Sequence, residues 1–148
     1  MRHRNVGRKL GRVRRQRTAL LKTLAGSLIM HERIVTTEAK AREVQPFIDQ
    51  LITKVKRAQA RDASTANVIR TVAAQLPLVA ARKIASGKFL DCLKHRASGY
   101  TRIVKLPPRK SDGALMATIL FVDRISSQDD TEKKTPQKKD AEEKTAIA

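Results

Sequence analysis

The first acidic residue of this chain is Glu32. Nine Lys and Arg precede it, eight of them within residues 1–17: Arg2, Arg4, Arg8, Lys9, Arg12, Arg14, Arg15 and Arg17, with Lys22 following. After Met1 the larger apolar residues of that stretch are Val6, Leu10 and Val13. So little apolar surface does not offset the entropy of ordering a backbone, and residues 1–13 are expected to form a basic arm that is mobile alone. Eight like charges without an acid repel one another, and only a polyanion offsets that cost. Seven of the eight are Arg, whose planar fork grips phosphate oxygens at two points and stacks on bases. Gly7 and Gly11 allow close backbone approach to phosphate and turns that other residues avoid.

The rest of the charge follows the same division. The 148 residues carry a formal +18, but residues 126–148 hold six acids against five lysines. Residues 1–125 therefore carry 27 Lys and Arg against eight acids, and the basic character belongs to the arm and the body. Acidic proteins, anionic lipid and nucleic acids are the candidate partners. No apolar run approaches the roughly 20 residues of a membrane span, and the basic N-terminus lacks the apolar core of a secretory signal. A membrane partner is not expected. The single Cys92 allows no internal disulfide, fits a reducing cytoplasm, and is expected to be a small buried hydrophobe.

From about Arg14 the chain takes on helical period. Leu20, Leu21, Leu24, Leu28 and Ile29 form one apolar stripe, thinned by Ala25 and Gly26 where close packing is possible. Arg33-Ile34-Val35-Thr36-Thr37 reads as a short strand. Thr37 then Glu38 reads as a helix start, the hydroxyl as cap and the acid in the first turn. Val44, Phe47, Ile48, Leu51, Ile52 and Val55 make the clearest stripe in the chain, with Pro46 expected to kink or restart that helix. A third helix carries Val68, Ile69, Val72, Ala73 and Leu76 and stops at Pro77. A fourth runs from Leu78 to about Arg96, broken or bent at Ser86-Gly87. Tyr100–Leu106 and Leu115–Val122 are strand-like, joined by a basic hairpin loop that opens with Pro107-Pro108. Ile34-Val35 adds a third strand to this pair. The expected fold is α+β and two-layered, with helices packed on one face of a small, mostly antiparallel sheet. The body is expected over residues 14–124, followed by a disordered charged tail over 125–148.

Catalytic constellations are scarce. His3, His31, His95 and Cys92 share no metal-ligand spacing, so no metal is expected. Asp91, His95 and Ser98 superficially resemble an orienter, a base and a nucleophile, but nothing fixes their geometry. Phosphate-loop and dinucleotide-turn glycine patterns are lacking, so no cofactor, small-molecule substrate or catalytic residue is expected. Aromatics are few: Tyr100, Phe47, Phe89 and Phe121. Stacking platforms need two or three exposed rings on adjacent strands, so recognition is expected to rest on charge, backbone shape and ribose contacts.

Several motifs carry a resemblance. Residues 1–12, Met-Arg-His-Arg-x-x-Gly-Arg-Lys-Leu-Gly-Arg, resemble the start of the bacterial large-subunit ribosomal protein seventeen family. Arg17-Thr18-Ala19-Leu20-Leu21, Leu24-Ala25-x-Ser27-Leu28-Ile29, His31-Glu32-Arg33-Ile34-x-Thr36-Thr37, Ala39-Lys40-Ala41-Arg42-Glu43 and Leu51-Ile52-Thr53 follow in order. Gly99-Tyr100-Thr101-Arg102-Ile103-Val104-Lys105-Leu106 and Met116-Ala117 resemble the family's terminal hairpin. The resemblance spans about residues 1–123 and starts at residue 1, so a transit peptide is not expected. Residues 78–97 match poorly, Leu120 and Phe121 replace an acid and a Leu, Pro107-Pro108 stiffens the loop, and the tail is an extra.

The resemblance implies a structural constituent of the large ribosomal subunit, bound to large-subunit ribosomal RNA near the exit-tunnel rim beside neighbouring ribosomal proteins. Charge and resemblance together nominate Arg2, His3, Arg4, Arg8, Lys9, Arg12, Arg14, Arg15, Arg17, Lys22, Tyr100, Arg102, Arg109 and Lys110 as RNA contacts. Composition alone also permits a nucleoid or DNA-architectural protein, or an accessory subunit of an RNA-modifying enzyme.

Overall fold

The structure is a computed structural model that describes residues 7–61, 64–123 and 125. Helix α1 (Arg14–His31) ends where Glu32 enters the left-handed region, φ 63°, and its N–H donates to the Leu28 carbonyl at 2.8 Å. That reversal feeds strand β1 (Arg33–Thr37), which passes directly into α2 (Glu38–Gln59). Three shorter helices follow: α3 (Thr65–Ala73), α4 (Leu78–Ala85) and α5 (Gly87–Asp91). Strands β2 (Thr101–Leu106) and β3 (Met116–Phe121) close the body.

The sheet has the order β1-β3-β2, with both pairings antiparallel. The third strand expected at Ile34-Val35 is therefore present, laid against β3. Register puts Ile34, Ile119 and Ile103 in one row, and Arg33, Leu120 and Arg102 in the next. Because side chains alternate along each strand, the isoleucine row faces the helices and the arginine row faces away. Helix α2 crosses all three strands, α1 flanks it against β1, and α3 to α5 extend the helical layer. The architecture is α+β and two-layered, as the pattern of elements requires.

The α2 stripe forms the centre of the core: Val44, Ile48, Leu51, Ile52 and Val55 are all buried against Ile119 and Phe121. Leu28 and Ile29 join them, whereas Leu20, Leu21 and Leu24 are only half-buried toward the arm. Gly26 explains the thin part of α1. A Cβ there would lie 2.9 Å from both Cγ and Cδ of Pro77, so only glycine lets α1 and the start of α4 approach this closely.

Several expectations need correction. Helix α2 runs without a break through Pro46. Proline removes only the bond to the Arg42 carbonyl, and Pro46 is exposed, so that carbonyl is open to solvent while Val44 and Ile48, buried on either side, keep the helix from restarting. Thr37 makes no side-chain cap. It is still paired with Met116 in β1, on the face opposite the helices, and Glu38 N–H finds the Leu115 carbonyl instead at 2.9 Å. The fourth helix breaks at Ser86 as expected but ends at Asp91, short of Arg96. Cys92 lies just beyond that end and is exposed, because the turn faces Leu93 inward in its place.

Candidate nucleic-acid interface

Three segments distant in sequence meet where β1 stops and α2 starts. The Glu38 N–H bond to Leu115 pins the base of the β2–β3 loop to the first turn of α2. The Glu38 carboxylate accepts from Arg42 Nε at 3.0 Å and lies 3.8 Å from Lys105 Nζ on β2. One turn further, Glu43 Oε1 lies 3.9 Å from Arg8 Nε, and a Cβ on Gly7 would sit 3.4 Å from Glu43 Oε2. Arm, helix and hairpin thus converge on two carboxylates. The Glu38 carboxyl is held below its ordinary range, first by the Arg42 hydrogen bond and then by the charges of Lys105, Arg42 and Arg8, against the opposing effect of burial.

The described part of the arm coils. Gly7 and Gly11 take φ of 102° and 63°, and Leu10 takes 56°. Arg12 donates from its backbone to Lys9 at 3.2 Å and from Nη1 to the Leu10 carbonyl at 3.0 Å. These bonds leave the outer ends of Arg8, Lys9 and Arg12 exposed.

Helix α1 then begins in an unusual way. Its first turn holds no acid, Val13 offers no capping oxygen, and Arg14, Arg15 and Arg17 crowd the positive pole of the helix dipole. Uncapped N–H groups and three cations at one helix end disfavour the free state, and an anion satisfies both. Arg14, Arg15, Thr18, Ala19 and Lys22 line a shallow concavity along the same helix.

The hairpin loop is closed on itself. Gly113 N–H donates to the Arg109 carbonyl at 2.9 Å, and Arg109 N–H to Ala114 at 3.0 Å. The Arg109 guanidinium bonds the Asp112 carboxylate through Nε at 2.9 Å and through Nη2. That fork, with the Ala114 N–H, holds the Asp112 carboxyl down at about 2. Lys110 is exposed, with no carboxylate in reach among the described residues.

A model of the family described as ribosomal protein L17 matches residues 20–122. The chain belongs to the ribosomal protein L17 family. Large ribosomal subunit protein bL17 of Anaeromyxobacter sp. (strain Fw109-5) is 42% identical over 139 residues, covering 93% of this chain and 79% of that protein. The bL17 of Sphingopyxis alaskensis is 41% identical over 128 residues, covering 84% and 85% respectively. That of Shouchella clausii is 43% identical over 119 residues, covering 77% and 97%. The family match runs from within α1 to just past β3, the span of the two-layer body, so this is a ribosomal protein of the large-subunit L17 family.

The other nominated residues are distributed unevenly. Arg2, His3 and Arg4 lie outside the described residues. Tyr100 is a correction: its ring is 1% exposed, so it has no face to offer a base. Its hydroxyl donates to the Ala97 carbonyl at 2.9 Å, and Lys56 Nζ sits 4.7 Å above the ring. Arg102 is exposed on the face of the sheet away from the helices, apart from the convergence at Glu38. Sequence reasoning missed Arg42 and Lys105, whose position beside Arg8 depends on tertiary contacts and leaves no local signal. Asp91 pairs with Lys94 in an exposed turn that also holds His95 and Ser98, and His31 ends α1. Among the described residues no cluster of three His, Cys, Asp or Glu side chains is placed to hold a metal.

Proposed function

We propose that the chain is a structural constituent of the bacterial large ribosomal subunit that binds large-subunit ribosomal RNA through this basic end. In this reading it sits near the exit-tunnel rim beside other large-subunit proteins, assembles in the cytoplasm and performs no catalysis. The observation that carries it is the uncapped, acid-free start of α1 with three arginines, continuous with the arm and with Arg42 and Lys105. Phosphate oxygens answer the unsatisfied N–H groups and the charge at once. Arg8, Lys9, Arg12, Arg14, Arg15 and Arg17 supply the first anchor. Lys110 supplies a second from the loop, which the Arg109–Asp112 fork holds in one shape.

Co-sedimentation at moderate salt, combined with RNA crosslinking, tests this proposal. The expected result is association with large subunits and crosslinks to their RNA from residues 8–22. Sedimentation with nucleoid, or with neither particle, overturns it.

A further inference from the structure

The face of the sheet turned away from the helices is not used by the interface described above. Register lays it out as three rows: Arg33–Leu120–Arg102, Val35–Thr118–Val104 and Thr37–Met116–Leu106. No described element covers it. Val35 is 62% exposed and Val104 43%, whereas Thr36 on β1 and Ala117 and Ile119 on β3, which face the helices, are buried. Exposed Val35 and Val104 on the edge strands flank half-buried Leu120, Thr118 and Met116 on the central one, so the face is mostly apolar with Thr118 at its centre.

From this arrangement, and resting on the large-subunit reading, we infer that the open face is a docking surface for an extended apolar segment of another protein of that subunit, with a carboxylate seated between Arg33 and Arg102. Three features select that occupant. First, the two arginines flank Leu120 across two strand spacings, about 10 Å apart. No carboxylate of the described residues lies within 4.0 Å of either, so their charge is unanswered inside the body. A carboxylate between them accepts charge-assisted hydrogen bonds from both sides. Second, the patch is small. Three strands by three rows cover on the order of 200–300 Å², well short of the roughly 800 Å² that each partner of a stable globular pair contributes. That size suits a single extended segment and not a second copy of this chain. Third, RNA is a poor fit. Phosphate needs cations along the whole face, and bases need exposed rings, whereas Tyr100 and Phe121 point into the core.

The test places a photo-crosslinking residue at Val104, and separately at Val35, in full-length chain assembled into large subunits, with a third probe at Arg14 as reference. Both sheet probes should join to one identified ribosomal protein, in a segment that is apolar and contains Asp or Glu. The Arg14 probe should join to RNA. The R33E/R102E double variant should cut the Val104 crosslink yield at least tenfold while leaving the Arg14 crosslink and the free protein's unfolding midpoint unchanged. Crosslinks from both sheet probes to RNA or to a second copy overturn the docking surface, as does a yield no higher than in free protein, even with the Arg14 probe behaving as expected. Failure of the chain to enter large subunits, or of the Arg14 probe to reach RNA, overturns the underlying reading and this inference with it.

Discussion

The two ends of the sheet use the same cationic side chains for opposite purposes. At the end where α2 starts, Arg8, Arg42 and Lys105 share two carboxylates, while Arg14 and Arg15 stand exposed at an uncapped helix. At the far end, Lys56 donates to the carbonyls of Leu93 and Arg96, 2.6 Å to the latter, and caps the Tyr100 ring. Arg96 there forks onto Asp123 at 3.0 and 3.1 Å. Lys56 and Arg96 are consumed in holding the irregular 92–100 segment, which has no ladder of its own. The cations at the near end have donors to spare. In the proposed reading, whether a lysine or arginine is available to RNA or builds the fold is decided by what already satisfies it, not by its residue type.

The largest expected effect separates the two ends directly. Replacing Arg8, Arg12, Arg14 and Arg15 with Ala should weaken RNA binding by about 10²–10³-fold near 0.15 M salt, since each lost phosphate contact forfeits its counterion release. The unfolding midpoint of the free protein should stay put, and a large drop in it would break the comparison. Lys56→Met should do the reverse. It strands two carbonyls in the 92–96 turn, so denaturant unfolding should show a loss of about 1–3 kcal/mol, with RNA affinity within twofold of the parent.

A smaller effect is expected at the seam between α2 and β2. Asp49 Oδ1 and Thr101 Oγ1 are buried there without partners. Burial raises the Asp49 carboxyl, partly opposed by the Tyr100 N–H bond. An acid whose folded value lies above its unfolded value adds stability that is full below the unfolded value and is lost as pH rises through the folded one. Asp49→Asn should therefore raise the unfolding midpoint slightly at neutral pH and flatten its decline between acid and neutral pH. An unchanged pH profile would show that burial does not act on Asp49.

The smallest effect is local to the hairpin. Asp112 is depressed to about 2 from an ordinary 3.8, so the loop closure it provides is fully present above 3.8 and lost only as pH falls through about 2. Titration of the Ala114 amide shift should show its midpoint near that lower value, and a midpoint near 3.8 would mean that the Arg109 fork is open in solution.

Much of the body was legible because its elements are locally consistent. The Val44–Val55 stripe, the β-branched run at 33–37 and the break at Ser86-Gly87 each carry their own period or punctuation. The misreadings share a different cause. Pro46 and Thr37 follow local rules that tertiary packing overrides, and Tyr100, nominated as an RNA contact with its basic neighbours, is buried with Lys56, 44 positions earlier in the chain, closing over it. For the site, the arm announced itself by charge. Arg42 and Lys105 did not, since their meeting at Glu38 joins segments more than 60 residues apart.

The central claim is that the near end, and not total charge, holds the RNA. Salt dependence of binding to large-subunit RNA measures it most directly. If about 8–10 phosphates are neutralised, log affinity should fall against log salt with a slope of roughly −6 to −9. Deleting residues 1–12 removes five Lys and Arg and should flatten that slope by about 3–5 units, whereas replacing Lys56 and Arg96 with Met should leave it unchanged. A slope that survives the deletion, or that flattens equally in the Lys56 and Arg96 variant, would contradict the account.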